Sequence, residues 1–152
     1  MAVTTKRELA VAEDAGWARL IWSIETLDPQ QIERPGYFPE GWSVKDLMGH
    51  IGCWQAEAGQ MLERIHNGTY HESPVDVPAL NLQFYESNKD LPLRVVRAEL
   101  WSARTRMLVG WNRLLQVTRA AEEWFRESGP AHYEEHIERL QEWAAEVRGD
   151  SA

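Results

Sequence analysis

The sequence predicts an all-α protein, a four-helix bundle made of one domain over residues 1–152. Three observations predict it. Four stretches, at about residues 5–27, 43–67, 92–115 and 130–148, carry apolar residues at steps of three and four, the spacing of one helix face. The segments between them hold helix-breaking prolines and glycines. No stretch alternates apolar and polar residues as a half-buried strand does, and no internal repeat is present. Amphipathic helices of this length bury their stripes best against one another, and packing rather than propensity holds them.

In the first stretch Thr5 and Glu8 have the spacing of a capping box, and Leu9, Trp17, Leu20, Ile24 and Leu27 share a face. Pro29 stops it, and residues 28–42, with Pro29, Pro35, Gly36, Pro39 and Gly41, read as a connection. Ser43 caps the second helix, whose face runs through Leu47, Met48, Ile51, Trp54, Ala58 and Leu62 to a break at Asn67-Gly68. Pro74 and Pro78 punctuate a loop, and residues 79–88 can form a short helix with Leu80 and Phe84 inward. Pro92 suits the first position of the third long helix, with Leu93, Val96, Leu100, Ala103, Met107, Trp111 and Leu114 in one stripe. Residues 116–128 give no clear pattern beyond Trp124 and Phe125 as anchors. Ser128-Gly129-Pro130 then opens the last helix, with His132, His136, Leu140, Trp143 and Val147 aligned.

A chain of 152 residues suits one domain with a proper core. The single cysteine, Cys53, excludes an intrachain disulfide and fits a reducing compartment. No signal-peptide pattern and no run of about 18 apolar residues appears, so a cytoplasmic protein with no membrane partner is expected. The net charge of −8 repels phosphate backbones, so nucleic acid is not expected as a partner. The eight tryptophans fall mostly on helical stripes and serve packing first.

Of the five histidines, His66 and His71 flank a break and read as exposed. His132 and His136 are four apart on a helix, which places their rings on one face about 6 Å apart at Cβ. Two imidazoles so spaced can grip one ion, although the intervening Tyr133, Glu134 and Glu135 do not make the metalloprotease motif. His50 aligns with Leu47 and Trp54 and faces inward. If the second and fourth helices run parallel, as diagonal helices of an up-down bundle do, all three rings reach one level. The competing reading is three core histidines satisfied by nearby carboxylates or carbonyls.

Trp42-Ser43-Val44-Lys45-Asp46-Leu47-Met48-Gly49-His50 resembles the W-S-x-x-D-x-x-x-H start of the second helix in DinB/YfiT-like proteins. Ala131-His132-Tyr133-Glu134-Glu135-His136 resembles their C-terminal H-Y-x-x-H pattern, and Asn81 with Tyr85 resembles the ClbS/DfsB-like branch. The resemblance covers about residues 8–147. It implies a four-helix bundle with a divalent metal ion, most often zinc or nickel, on His50, His132 and His136. It also implies a homodimer. Members of the family include thiol-dependent transferases and isomerases, such as mycothiol-dependent maleylpyruvate isomerase, and bacterial self-resistance proteins. A likeness of fold does not fix the reaction.

Three imidazoles leave at least one coordination position open, the pattern of a catalytic site. An ion so held can bring the pKa of a bound water to roughly 7, or take the thiolate of a low-molecular-weight thiol. Glu57 and Tyr133 are the candidates for acid–base work. Glu57 is two turns beyond His50, about 10.5 Å along the axis and too far to join the same ion. Asn81, Tyr85 and Trp54 are the candidates for substrate contacts, and each also reads as structural. Cys53, one turn after His50, reads mainly as a small hydrophobe. Gly49 and Gly52 either open room beside the metal or serve close packing, and the second is preferred. The expected function is a metal-dependent enzyme acting on a small molecule, by thiol-dependent transfer or isomerisation or by hydrolysis. The alternatives are a non-catalytic small-molecule-binding, self-resistance or stress protein, and an interaction module with core histidines.

Overall fold

The computed structural model describes residues 5–150. Residues 1–4 and 151–152, which the expected domain takes in, lie outside the described residues. The described residues form seven helices and no strand: α1 (Lys6–Glu25), α2 (Pro29–Glu33), α3 (Val44–Asn67), α4 (Val77–Asn88), α5 (Leu93–Arg113), α6 (Arg119–Ser128) and α7 (Pro130–Asp150). They fall into two compact units: the described residues within Met1–Val44 and Arg126–Ala152, and the segment Lys45–Phe125.

In the first unit, the Thr5 hydroxyl accepts the N–H of Glu8 at 3.0 Å and starts α1. The connection expected over residues 28–42 contains a helix that the sequence reading passed over. Asp28 and Gln31 exchange side-chain and backbone hydrogen bonds in a full capping box, and Pro29 occupies the first turn. The proline that ends one helix therefore begins the next. Helices α1 and α7 pack together around Tyr133, whose hydroxyl donates to Glu13 Oε2 at 2.8 Å. Its ring lies 5.8 Å from that of Trp17. Gly16 leaves the space this ring uses, since a Cβ there would sit 3.2 Å from Tyr133 Cδ2. Arg19 and Glu134 add an exposed ion pair at 2.9 Å, of small energetic weight.

In the second unit, α3 ends where Gly68 takes a φ of 75° and Thr69 N–H returns to the Arg64 carbonyl, the left-handed stop that glycine favours. Helix α4 starts two residues earlier than the pattern suggested, because Asp76 accepts the N–H of Ala79 and Pro78 is tolerated in the first turn. Phe84 is buried there, while Leu80 is only half-buried. Pro92 caps α5 from outside, one residue before the helix begins. Val96, Leu100, Met107 and Trp111 form its buried stripe. Residues 119–128, where the sequence offered no pattern, are helical. Thr118 accepts the N–H of Ala121, and Phe125 stacks on Trp111 at 4.2 Å.

Candidate functional site

Pro130 sets the first turn, and Tyr133, held by Glu13, fixes which side of α7 turns inward. That side also carries His132 and His136, which are 7% and 8% exposed. Their ring centroids lie 4.8 Å apart at an interplanar angle of 65°. Burial pushes the His136 pKa down to about 4, so its imidazole is neutral at physiological pH and keeps a lone pair for a ligand. Two adjacent, buried imidazoles on one helix face are a donor set that could hold a divalent metal ion.

The loop of residues 34–43 packs on α7 between His136 and Trp143. Phe38 lies edge-on to His136 at 6.2 Å and to Trp42 at 5.6 Å. Arg139, three residues beyond His136, donates from Nε and Nη2 to the Tyr37 carbonyl at 3.1 and 2.8 Å. Its guanidinium also sits over the rings of Tyr37 and Trp143, at 5.2 and 5.5 Å.

In the second unit, His50 is half-buried on α3. Glu57 is half-buried two turns on. Trp54 Nε1 donates to Asn81 Oδ1 at 2.8 Å, and its ring meets Phe84 edge-on at 5.3 Å, so two of the three proposed substrate contacts bind each other. Tyr85 is half-buried, with Lys89 Nζ 6.0 Å from its ring centroid. Cys53 accepts a hydrogen bond from Asn88 Nδ2 at 3.2 Å. Burial pushes the thiol pKa up, and the Asn88 bond opposes that without reversing it. Gly49 and Gly52 both serve close approach, to Asn88 and to the backbone of Leu100, and both border a cleft of about 270 Å³ with Cys53, Asn88, Leu100 and Arg106. His66 and His71 are exposed.

The sequence reading missed Glu13, Phe38 and Arg139. Glu13 had a signal: it is a carboxylate in line with Leu9 and Trp17 on a buried stripe, and it is fully buried. Phe38 and Arg139 had none, because the contacts of Phe38 with His136 and of Arg139 with Tyr37 depend on how the loop folds onto α7.

No family model matches the chain, and no curated protein matches it. Among solved structures it is similar to an uncharacterised protein from Escherichia coli UTI89, with 19% identity, 97% of this chain and 96% of that chain covered, and a TM-score of 0.81. It is also similar to the colibactin self-resistance protein ClbS, solved in complex with a double-stranded DNA, with 16% identity, 94% and 97% coverage and a TM-score of 0.79. At such identities the likeness establishes the all-helical fold and no more. It also corrects one expectation. Nucleic acid was set aside as a partner on net charge, yet a protein of this fold is seen with DNA. Net charge sums the whole surface, whereas a duplex meets only one patch of it. Among the described residues no helix is long and apolar enough to cross a membrane.

Proposed function

We propose that this protein is a divalent-metal protein of the DinB/YfiT-like four-helix-bundle kind, with α1, α3, α5 and α7 as the bundle and with His50, His132 and His136 as the ligands of one ion. The observation that carries the reading is the buried His132–His136 pair with its rings in contact. The Trp42–His50 motif supports His50 as the third ligand. Three histidines leave a coordination position for a small-molecule substrate. Such an ion supplies Lewis acidity to a substrate oxygen or to a thiol.

The chain's own residues do the rest. Tyr133, anchored on Glu13, is a positioning residue that holds the α7 pair in place. Glu57 is the candidate proton acceptor, and Trp54, Asn81 and Tyr85 are the candidate ligand contacts. The reaction classes that fit are thiol-dependent transfer or isomerisation with a low-molecular-weight thiol, and hydrolysis. A second reading is self-resistance by binding without turnover, favoured by the likeness to ClbS.

Elemental mass spectrometry of protein purified without a histidine tag tests the metal. One zinc- or nickel-like ion per chain is expected, lost in His132→Ala/His136→Ala and weakened in His50→Ala. Metal-free protein that also takes up none on soaking with several ions would overturn the reading. With a reactive substrate in excess, repeated turnover marks the enzyme, and one equivalent consumed per chain marks the resistance protein.

A further inference from the structure

Tyr37, Phe38 and Trp42 lie on one short loop but have different fates. Tyr37 is fully buried, whereas Phe38 and Trp42 are half-buried. The Phe38 ring packs edge-on on Tyr37 at 4.6 Å, and backbone hydrogen bonds close the loop as well. The Trp42 carbonyl accepts the N–H groups of Gly36, Tyr37 and Phe38 at 3.2, 2.8 and 3.4 Å, and the Phe38 carbonyl accepts that of Gly41 at 2.9 Å. Gly36 and Gly41 supply the φ values of 106° and 87° that this closure needs. Arg139 then clamps the Tyr37 carbonyl from α7 with two hydrogen bonds. Backbone closure, one guanidinium and the packing of Tyr37 hold the loop, and the Phe38 ring stands against His136 with part of its surface open.

We propose that Phe38 and Trp42 determine which ligand the histidine site accepts, and that the class they select is a small molecule with a flat apolar ring, aromatic or heteroaromatic, next to the group that reaches the metal. The proposal rests on the metal reading above. Phe38 meets Trp42 and His136 edge-on. A ligand ring entering beside them adds an offset or edge-to-face contact, the arrangement aromatic quadrupoles favour. The rigid loop sets this contact up in advance, so little ordering opposes binding. A ligand with a flexible or charged group at the same place meets two apolar rings and has no partner on this loop.

Calorimetry on zinc-loaded protein with acetohydroxamate and benzohydroxamate tests this, because the two share a chelating head and differ only in methyl against phenyl. The wild type is expected to bind benzohydroxamate about tenfold more tightly, equal to about 1.4 kcal/mol. In Phe38→Ala/Trp42→Ala that preference falls to near unity. Phe38→Leu/Trp42→Leu, which keeps apolar bulk in the loop, loses most of it too. Equal affinities in the wild type, or a preference that survives in both variants, would overturn the proposal. If the protein takes up no zinc and binds neither hydroxamate, the metal reading has failed, and this proposal fails with it.

Discussion

A methyl group at position 49 would land 3.0 Å from the Cβ of Asn88. Asn88 is not free to move aside, since its amide donates to the Phe84 carbonyl at 2.8 Å and to Cys53 Sγ at 3.2 Å. Gly49→Ala is therefore expected to destabilise the protein by about 1–3 kcal/mol despite the better helix propensity of alanine. Gly149→Ala, with nothing within 4 Å of the added methyl, is expected to be neutral or to stabilise by up to about 1 kcal/mol. Urea unfolding of both variants checks the pair, and an unchanged midpoint for Gly49→Ala would contradict the packing argument. Residue-level features of this sort divide by how local their cause is. The His132–His136 contact was legible, because four residues on a helix put two rings on one face whatever surrounds them. The clash at Gly49 was half legible: two glycines inside a helix signal something close by, but the sequence does not name Asn88 as the neighbour.

The same division holds for whole elements. The long stripes of α1, α3 and α5 could be read because each repeats several times, and burial of Leu9, Ile51 and Leu100 follows from the repeat. Helix α2 spans five residues, too few for any period, and only the Asp28–Gln31 pair announced it. Helix α6 is decided by tertiary packing, with Phe125 stacked on Trp111, Ala121 buried and Trp124 Nε1 donating to the Tyr70 hydroxyl. The loop of residues 34–43 is the element with the sharpest consequence for stability against pH. Burial pushes the Tyr37 hydroxyl pKa above its usual value of about 10, with the Arg139 guanidinium opposing. In the unfolded chain Tyr37 ionises near pH 10, while in the folded protein it keeps its proton. The folded state then holds more protons, so stability is full below about pH 10 and falls as pH rises above it. The same hydroxyl is buried with no hydrogen-bond partner among the described residues. Tyr37→Phe is thus expected to be neutral or stabilising by up to about 1 kcal/mol at pH 7. Part of the alkaline loss should also disappear. Thermal unfolding at pH 7 and pH 11 measures both effects, and identical pH slopes for the two proteins would refute the assignment.

At the scale of the whole molecule, the sum of charges proved the weakest guide. The value of −8 is correct for the chain, but it says nothing of where the charges lie. Helix α5 alone carries Arg94, Arg97, Arg104, Arg106 and Arg113 against a single Glu99. Patches of opposite sign within one acidic protein are enough to defeat an argument from the total. The quantity that does belong to the whole molecule is stability linked to metal. An ion that binds the folded chain and not the unfolded one stabilises it by about 2.7 kcal/mol at a hundredfold excess over Kd. For a domain of this size each kcal/mol moves Tm by about 2–4 °C, so the melting temperature should rise by roughly 5–11 °C on adding zinc to chelator-treated protein. His132→Ala/His136→Ala should melt at the same temperature with and without zinc. Three core histidines that serve packing alone would give the opposite pattern: no zinc response in the wild type, and a double variant that simply melts lower. A zinc shift retained in full by the double variant would place the ion elsewhere on the chain and remove the α7 pair from the site.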